Sequence, residues 1–300
     1  MRAIILGRGN MGRAIRDALA ARGDTVVAML GRVGGDARPD PASLAPIDVA
    51  FEFSHGEDVA PNVRYAMATG TRAIVLGTTA WADARPEVTR LVTEAGATLV
   101  DAPTFSVGTV LFGELAEQAA RLFGRLEGYD PYVMEWHRRA KADRPSGTAA
   151  AIANRILPHL PRKTRARLAE GSTAPEPDTL EIVSLRAGAS PGMHVVGFDA
   201  TGESIELRIT ARDRSAYVAG ALLAADWLRS GAALPVGIVR FDSVVKRVLE
   251  ADGSGAPSSS APPAPPAPPA ARAASASAQP TNGRRAATAR TAKEESHGHR

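Results

Sequence analysis

The chain has 300 residues, enough for one large or two ordinary domains, and its 44% apolar and 23% charged content is typical of a globular protein. It contains no cysteine, which excludes disulfides, zinc–thiolate sites and thiol nucleophiles. The formal net charge is +4, but six basic and two acidic side chains after residue 252 account for all of it, so residues 1–252 are formally neutral.

The first residues, MRAIILGRGN, contain an apolar run of only a few positions. That run is too short for the apolar region of a signal peptide or for a membrane span, and no other stretch reaches about eighteen apolar residues. A chain without cysteine also suits a reducing compartment. We therefore expect a soluble, cytoplasmic protein that makes no contact with a membrane.

Residues 1–105 alternate short apolar runs with amphipathic helical patterns. Strands separated by helices in this way are typical of βαβ units and a parallel sheet. We predict a Rossmann-like dinucleotide-binding domain over these residues. The predicted strands are 3–6, 25–30, 48–53, 71–76 and 98–100, and the predicted helices are 11–22, 60–68 and 83–95.

The pattern changes after residue 105, where several strands follow one another with few helices between them. This order favours an α+β domain with an antiparallel or mixed sheet. A strongly apolar helix at 216–228 is expected to pack back against the first domain, and 160–178 is treated as a connection rich in proline, arginine and glutamate. The predicted helices here are 107–123 and 148–157, and the predicted strands are 132–135, 181–186, 194–200 and 204–211.

Residues 253–300 form a basic segment rich in proline and alanine that lacks Leu, Ile, Val, Phe, Tyr and Trp. Such a segment cannot bury enough apolar surface to fold, so we predict a disordered tail. A tether for polyanions or a polyproline ligand is the weaker alternative.

The segment IILGRGNMGRAI places Gly7, Gly9 and Gly12 between a predicted strand and a predicted helix. In a dinucleotide-binding loop, the first glycine permits the tight turn and the second lets backbone N–H groups approach the pyrophosphate. The third lets the helix pack closely on the strand, and the helix N-terminus faces the phosphates. A glycine-rich turn of an unrelated α/β fold is the alternative.

The second predicted strand ends in AMLGRVGG, where NAD-binding domains place an acidic residue for the ribose 2′-hydroxyl. No carboxylate stands there, and Arg32 could pair with a 2′-phosphate instead. We therefore predict a preference for NADPH over NADH. The alternative is that Arg32 is a solvated loop residue.

The segment EWHRRAKADRPSGTAA, residues 135–150, places several cationic side chains directly before a helix start. Ser146 or Thr148 can cap that helix, and Gly147 lets a ligand approach its free N–H groups, which favour a carboxylate or phosphate. His137 can donate a proton near neutral pH, and Lys141 can complete an anion pocket. A solvated basic loop is the alternative interpretation.

A reduced nicotinamide in one domain and a proton-donating anion pocket in the other predict hydride transfer followed by protonation of a small acid. The same segment, Glu135–Ala149, resembles the pattern E-x-H-H-x-x-K-x-D-A-P-S-G-T-A of 4-hydroxy-tetrahydrodipicolinate reductases, also called dihydrodipicolinate reductases, of the diaminopimelate route to lysine. GRGNMG, VAFEFS, VLGTTAW, APTFSVG and SLRAGASPGMHVV match further family segments in order, so the resemblance covers roughly residues 1–250.

The resemblance implies that His137 protonates the substrate after hydride delivery, assisted by Lys141. It implies that Arg138, Gly147 and Thr148 contact a small dicarboxylate substrate, and that the enzyme is a homotetramer. No metal site is expected. The residues expected to hold NADPH, or less favourably NADH, are Gly7, Arg8, Gly9, Asn10, Met11, Gly12, Arg32, Gly77, Thr78, Thr79, Pro103, Thr104, Phe105 and Ser106.

The resemblance also implies a division of the chain. A dinucleotide-binding domain spans 1–105 and is completed by 215–250, while 106–214 binds the substrate through an α+β domain whose mixed sheet also serves oligomerisation.

Several positions depart from the family pattern on segments that face ligands: Arg138 for its second histidine, Arg144 for alanine, Thr104 for asparagine, Ala80 for glycine, and Ala189 for an acid. A paralogous reductase acting on a different anionic imine or enamine is therefore one alternative. A dinucleotide-sensing binding protein without turnover is another.

Overall fold

The computed structural model describes residues 1–35, 37–170, 174–231 and 233–253. The predicted tail lies, from residue 254 onward, outside the described residues. The strands are β1 (Arg2–Leu6), β2 (Thr25–Leu30), β3 (Val49–Glu52), β4 (Ala73–Leu76), β5 (Thr98–Asp101), β6 (Asp130–His137), β7 (Arg165–Leu168), β8 (Thr179–Arg186), β9 (Met193–Ala200), β10 (Glu203–Thr210) and β11 (Gly237–Arg240). The helices are α1 (Asn10–Ala21), α2 (Pro41–Leu44), α3 (Val59–Ala68), α4 (Arg85–Glu94), α5 (Val107–Phe123), α6 (Gly147–Ile156), α7 (Ser215–Leu228) and α8 (Phe241–Gly253).

Six parallel strands form the first sheet in the order β11-β5-β4-β3-β1-β2. The chain continues from β1 to β2 on one side and then returns to β3 on the other, so the direction of winding reverses between β1 and β3. Ligands of such sheets bind beyond the carboxyl ends of the strands at this reversal. The loops after β1 and β3 are therefore expected to face the ligand.

Alternate residues of these strands pack into cores on opposite faces of the sheet. Because both faces are buried, each strand is a continuous apolar run in the sequence. Ala3 and Ile5 of β1 pack with Ile15 and Leu19 of α1 and with α7 and α8. Ile4 and Leu6 pack with α3 and α4 on the opposite face. The strongly apolar helix α7 thus lies against the first sheet.

The second sheet has the strand order β10-β9-β6-β8-β7 and is mixed, because β6 pairs with β8 in parallel and with β9 antiparallel. One face packs on α5 and α6 through residues such as Phe112, Ile152 and Phe198. The other face carries Val183 and Leu185, which are 40% and 49% exposed. The predicted fold class, a Rossmann-like domain beside an α+β part with a mixed sheet, is confirmed.

Four elements were not predicted: α2, β7, β11 and α8. The strand β7 lies within 160–178, so treating that segment as a mere connection was wrong. Both β7 and β11 are four-residue edge strands that contain arginine, and they pair with β8 and β5. Such short segments give only a weak strand pattern in the sequence. Among the described residues, no helix has the length and apolar character needed to cross a membrane.

Candidate active site

The glycine loop follows β1 and leads directly into α1. Gly7 has φ +126°, and a Cβ on it would lie 2.1 Å from the carbonyl oxygen of Phe53. A Cβ on Gly12 would lie 2.0 Å from the carbonyl oxygen of Gly7, so neither position tolerates a side chain. Gly9, the N-cap of α1, provides no side-chain cap, and the space where its Cβ would stand is open. The first N–H groups of α1 can therefore receive a phosphate, which fits a dinucleotide.

Arginines surround the end of β2. Arg32 forms ion pairs with Glu57 and with Asp58, at 3.3 Å for the latter. Arg8 donates from Nε to the carbonyl oxygen of Met29 at 3.2 Å. The guanidinium of Arg32 is thus near the expected place of the ribose, but two carboxylates hold it.

The loops after β3 and β4 meet beside the glycine loop. A Cβ on Gly77 would lie 2.1 Å from the ring of Phe53, and the hydroxyl of Thr78 accepts a hydrogen bond from Ser54 N at 2.7 Å. Ala80, at the position where the family pattern has glycine, has φ +57°. The backbone therefore keeps the left-handed conformation although the side chain has changed.

Residues 103–106 connect β5 to α5. The hydroxyl of Ser106 caps α5 by accepting from Thr109 N at 3.1 Å. Pro103, Thr104 and Phe105 line a cavity of about 520 Å³ together with His137 of β6 and with loops that follow strands of the second sheet. These residues form the wall of a cleft between the two sheets.

His137 is the last residue of β6, and α6 begins ten residues later. Ser146 caps α6 by accepting from Ala149 N at 3.1 Å. The ammonium of Lys141 lies 2.7 Å from a carboxylate oxygen of Asp143. The space where a Cβ of Gly147 would stand is open, so a ligand can approach the N-terminus of α6 there.

Three neighbouring cavities, of about 520, 460 and 750 Å³, are all lined by Thr104, His137 and Thr148. They form one continuous cleft. Arg138 and Lys141 line the first cavity, and Gly147 lines the third. The structure thus brings together all five positions predicted for catalysis and substrate binding. Of the positions predicted for the cofactor, the cavity linings include Met11, Gly77, Thr79, Pro103, Thr104, Phe105 and Ser106, and they do not include Gly7, Arg8, Gly9, Asn10, Gly12, Arg32 and Thr78.

A buried carboxylate lies beneath this cleft. Glu135 has no exposed surface, and its Oε1 accepts hydrogen bonds from Ser146 N at 2.9 Å, Ser184 Oγ at 2.6 Å and Arg186 Nη2 at 2.9 Å. Its Oε2 lies 3.1 Å from Nδ1 of His137. Burial by itself would raise the pKa of Glu135, but the hydrogen bonds outweigh burial and lower it to about 2.

Two imidazoles lie beside Glu135. The rings of His137 and His194 are 5.2 Å apart in an edge-to-face arrangement. Burial lowers the pKa of His194 to about 4, and the neighbouring His137 adds to the effect. Burial also lowers the pKa of His137; Glu135 opposes that shift, while Lys141 and Arg186 reinforce it. Both rings are therefore neutral near pH 7.

The ligand atoms of Glu135, His137 and His194 lie within 4.8 Å of one another, a spacing that could hold a metal ion. The guanidinium of Arg186 already binds the same carboxylate, and in this buried space it would repel a cation. The arrangement is better suited to a proton-transfer network.

Several residues of the site were missed in the analysis of the sequence. Glu135 stands two residues before His137, and strand alternation places both side chains on one face of the sheet, so its role could have been expected. Arg186 and His194 lie in the matched segment SLRAGASPGMHVV, but nothing in that segment shows that they converge on Glu135, which is on another strand. The cleft is also lined by Arg212, Asp213, Arg214 and Tyr217.

A parallel sheet with a glycine loop, facing a cleft that holds a buried histidine and a lysine, defines an oxidoreductase that uses a nicotinamide dinucleotide. More specifically, the chain belongs to the 4-hydroxy-tetrahydrodipicolinate reductase family. It is 32% identical over 249 residues to the 4-hydroxy-tetrahydrodipicolinate reductase of Mycolicibacterium vanbaalenii, covering 79% of this chain and 97% of that protein. It is 34% identical over 251 residues to the protein of the same name from Alkalilimnicola ehrlichii, covering 75% and 92%.

Two further comparisons agree. The family model described as dihydrodipicolinate reductase, C-terminus, matches residues 108–244. The fold is similar to that of the dipicolinate-bound dihydrodipicolinate reductase from Paenisporosarcina sp. TG-14, with a TM-score of 0.62, 21% identity, and coverage of 80% of this chain and 97% of that one. The predicted family is confirmed.

Proposed function

We propose that the protein reduces 4-hydroxy-tetrahydrodipicolinate to tetrahydrodipicolinate in the diaminopimelate route of lysine biosynthesis. The names of the relatives support this reaction, and the observation that carries it is the convergence of His137, Lys141 and Thr148 on one cleft with the loops after β4 and β5. In the overall reaction, the substrate gains one hydride and one proton and loses one water molecule. The bound dinucleotide supplies the hydride.

The chain's own residues supply the remaining chemistry. His137, in its protonated form, delivers a proton to the substrate from the imidazole nitrogen that faces the cleft. Lys141 provides a cationic donor beside it. The free N–H groups around Gly147 and Thr148, at the N-terminus of α6, bind a substrate carboxylate.

We infer that NADPH is preferred over NADH. Arg32 stands where a dinucleotide-binding domain selective for NAD would carry a carboxylate, and Arg8 lies close by with its Nε bonded to Met29 O. A 2′-phosphate would compete with Glu57 and Asp58 for the guanidinium of Arg32. The cofactor would therefore gain this contact only by displacing part of an existing ion pair.

We further infer a cytoplasmic homotetramer whose subunits meet through the open face of the second sheet. Val183 and Leu185 are large apolar side chains exposed on that face, an arrangement typical of subunit interfaces. Leu185→Glu should dissociate the assembly, as measured by light scattering after size-exclusion chromatography. The same replacement at the exposed Leu249, on α8, serves as the control.

A second candidate function is supported by Arg138, which replaces a histidine of the family pattern and lines the cleft. Arginine is longer than histidine and stays charged at every accessible pH. A different anionic imine or enamine would suit such a pocket. Comparing the two substrate types in the wild type and in Arg138→His decides between these candidates.

The direct test supplies the substrate from dihydrodipicolinate synthase and follows NADPH absorbance. We expect rapid oxidation, and its absence would reject the proposed reaction. His137→Gln should lower kcat about 10²–10⁴-fold, the usual contribution of a positioned acid, with little change in NADPH affinity. His159→Gln, on a histidine paired with Glu117 outside the cleft, is the matched control and should keep full activity.

A further inference from the structure

Glu135 and His137 stand on one face of β6 because side chains alternate along a strand. The Nδ1 of His137 lies 3.1 Å from Oε2 of Glu135. Within the described part of the chain, neither of these two buried atoms makes a hydrogen bond, and Oε2 also lies 3.8 Å from Nε2 of His194. One proton shared between them would satisfy both.

The other oxygen of Glu135 is fully used. Its Oε1 accepts from Ser146 N, Ser184 Oγ and Arg186 Nη2, each within 3.0 Å. These three donors fix the orientation of the carboxylate, so Oε2 points at the imidazole and cannot turn away. The same contacts tie the carboxylate to Ser146, the N-cap of the helix whose N-terminus faces the cleft.

The opposite ring nitrogen of His137 has room in front of it. A Cβ on Gly192 would lie 3.0 Å from Nε2, so the absence of a side chain at that position leaves the nitrogen accessible. Gly192 and His137 line the same cavity with Thr104 and Thr148. Nε2 is therefore the nitrogen that can meet a substrate.

We propose that Glu135 is the positioning residue of the proton donor: its Oε2 holds the Nδ1–H of His137, leaving Nε2 to carry the proton delivered to the substrate. A carboxylate performs the same task for the histidine of hydrolytic triads, where it fixes the tautomer and stabilises the imidazolium. This inference rests on the proposed function, in which His137 is the acid. A single buried carboxylate, that of Glu135, thus holds both the proton donor His137 and the N-terminus of α6.

The charges around His137 determine what removal of Glu135 should do. Glu135 and Asp143 raise the pKa of the imidazole, while Lys141 and Arg186 lower it. The neutral ring of His194 faces it from β9, and Arg212 and Asp213 line the cleft opposite. Without the carboxylate, the cationic neighbours prevail and the imidazolium is harder to form.

Glu135→Gln is the informative variant because it keeps the shape of the side chain. The three donors hold the amide oxygen at the Oε1 position, so the amide NH₂ takes the place of Oε2 and donates to Nδ1 of His137. The neutral ring must then carry its hydrogen on Nε2. In that tautomer Nε2 has no free lone pair, so it cannot take up the proton that His137 would deliver to the substrate. We expect kcat to fall about 10²–10⁴-fold, as expected when general acid catalysis is lost, with KM for NADPH within about threefold.

A readout independent of turnover is the ¹⁵N and ¹³C spectrum of the labelled, unliganded enzyme. In the wild type, the neutral ring of His137 should be the Nδ1–H tautomer, and a predominant Nε2–H tautomer would overturn the inference without any mutation. In Glu135→Gln, the tautomer should reverse and the pKa of His137 should fall, because the carboxylate that raises it is lost. Should this variant fail to fold, the wild-type tautomer still decides.

Ser184→Ala is the matched control. It removes one donor to Oε1 and disturbs the same network, but it leaves the charge and Oε2 in place. The Nδ1–H tautomer should persist, and kcat should fall far less than in Glu135→Gln, because two donors still hold the carboxylate. Equal effects of both variants would show that Glu135 has only a structural role. A correct tautomer in a protein that does not reduce 4-hydroxy-tetrahydrodipicolinate would instead reject the proposed function alone.

Discussion

Arg186 and Glu135 form an ion pair that is almost completely removed from solvent, with Nη2 2.9 Å from Oε1 and side chains that are 2% and 0% exposed. The same Nη2 also donates to the carbonyl oxygen of Asp143, in the loop that carries Lys141. One guanidinium therefore joins the buried carboxylate of β6 to the loop that forms the cationic side of the cleft.

Removal of Arg186 should strongly destabilise the protein. Arg186→Met leaves a buried carboxylate without its counter-charge, which typically costs about 3–5 kcal/mol. The double variant Glu135→Gln/Arg186→Met removes both charges and should recover part of that loss. Denaturant unfolding of the wild type, both single variants and the double variant measures the coupling. Additive losses would show that the two side chains do not stabilise each other.

The buried His194 should make stability depend on pH between about 6.5 and 4. Its pKa in the folded protein is about 4, whereas an unfolded histidine titrates near 6.5. As the pH falls through this window, the imidazole of His194 binds a proton in the unfolded chain but stays neutral in the folded protein. The free energy of unfolding should therefore fall, by about 2–4 kcal/mol in total from this group.

His194→Gln should flatten that dependence, although it also changes the absolute stability. The measurement is denaturant unfolding at several pH values between 7 and 4.5. Glu135 begins to affect stability near pH 5, where the unfolded carboxyl protonates, but it does so equally in the wild type and in His194→Gln. His159→Gln, on a partly exposed histidine, should keep the wild-type slope. Parallel slopes for the wild type and His194→Gln would contradict this account.

Much of the fold could be predicted because its signals are local. The helix 107–123 has the predicted bounds, and β2 begins and ends at the predicted residues. The strands of the parallel sheet are apolar on both faces, so each forms a run that is visible without knowledge of its neighbours. The edge strand β7, with the sequence RARL, has no such run, and β11 contributes only the two apolar residues Ile238 and Val239.

The residues of the candidate site likewise fall into those that are close in the sequence and those that meet only in the folded sheet. His137, Lys141, Gly147 and Thr148 lie within one motif, so the sequence alone brought them together. Arg186, by contrast, is 51 residues from Glu135. Their contact depends on the parallel pairing of β6 with β8, which places Arg186 directly opposite His137. Register of this kind is set by the whole sheet and leaves no trace in either segment.

The pairing of Arg32 with Glu57 should limit the preference for NADPH. Glu57→Gln removes one carboxylate that competes with a 2′-phosphate for the guanidinium. Exposed pairs contribute about 0.2–1 kcal/mol, so the ratio of kcat/KM for NADPH to that for NADH should rise by about 1.5- to 5-fold. Steady-state kinetics with both cofactors measure the ratio.

Arg32→Ala should lower that ratio, chiefly through the KM for NADPH. Glu87→Gln breaks a comparable exposed pair, with Arg64, and should change nothing. If the ratio is unaffected by both Arg32→Ala and Glu57→Gln, Arg32 does not contact the cofactor.

Ala80 has φ +57°, a conformation that costs a residue with a Cβ about 1 kcal/mol or more. Glycine avoids this cost but adds freedom to the unfolded chain. Ala80→Gly should therefore raise the free energy of unfolding by about 0.5 kcal/mol, measured by denaturant unfolding. The same change at Ala20, exposed in α1, should instead lower it by up to about 1 kcal/mol. A loss of stability at both positions would contradict the assigned strain.

Glu52 is fully buried at the end of β3, and burial raises the pKa of its carboxyl group. Asn62 donates to its Oε1 at 2.9 Å, whereas its Oε2 has no hydrogen-bond partner within the described ranges. Above the ordinary pKa of glutamate, the unfolded chain releases this proton readily and the folded protein does not, so stability falls as the pH rises. Glu52→Gln removes that dependence.

The variant should therefore exceed the wild type in unfolding free energy by about 1–2 kcal/mol at pH 7–8, the usual cost of a buried group without a partner. The difference should shrink toward zero as the pH approaches about 4, where glutamate is protonated in both states. Denaturant unfolding across this range measures the difference. Glu127→Gln, on an exposed side chain, should stay within about 0.5 kcal/mol of the wild type throughout. A gain for Glu52→Gln that is constant with pH would show that Glu52 titrates normally and that its burial carries no electrostatic cost.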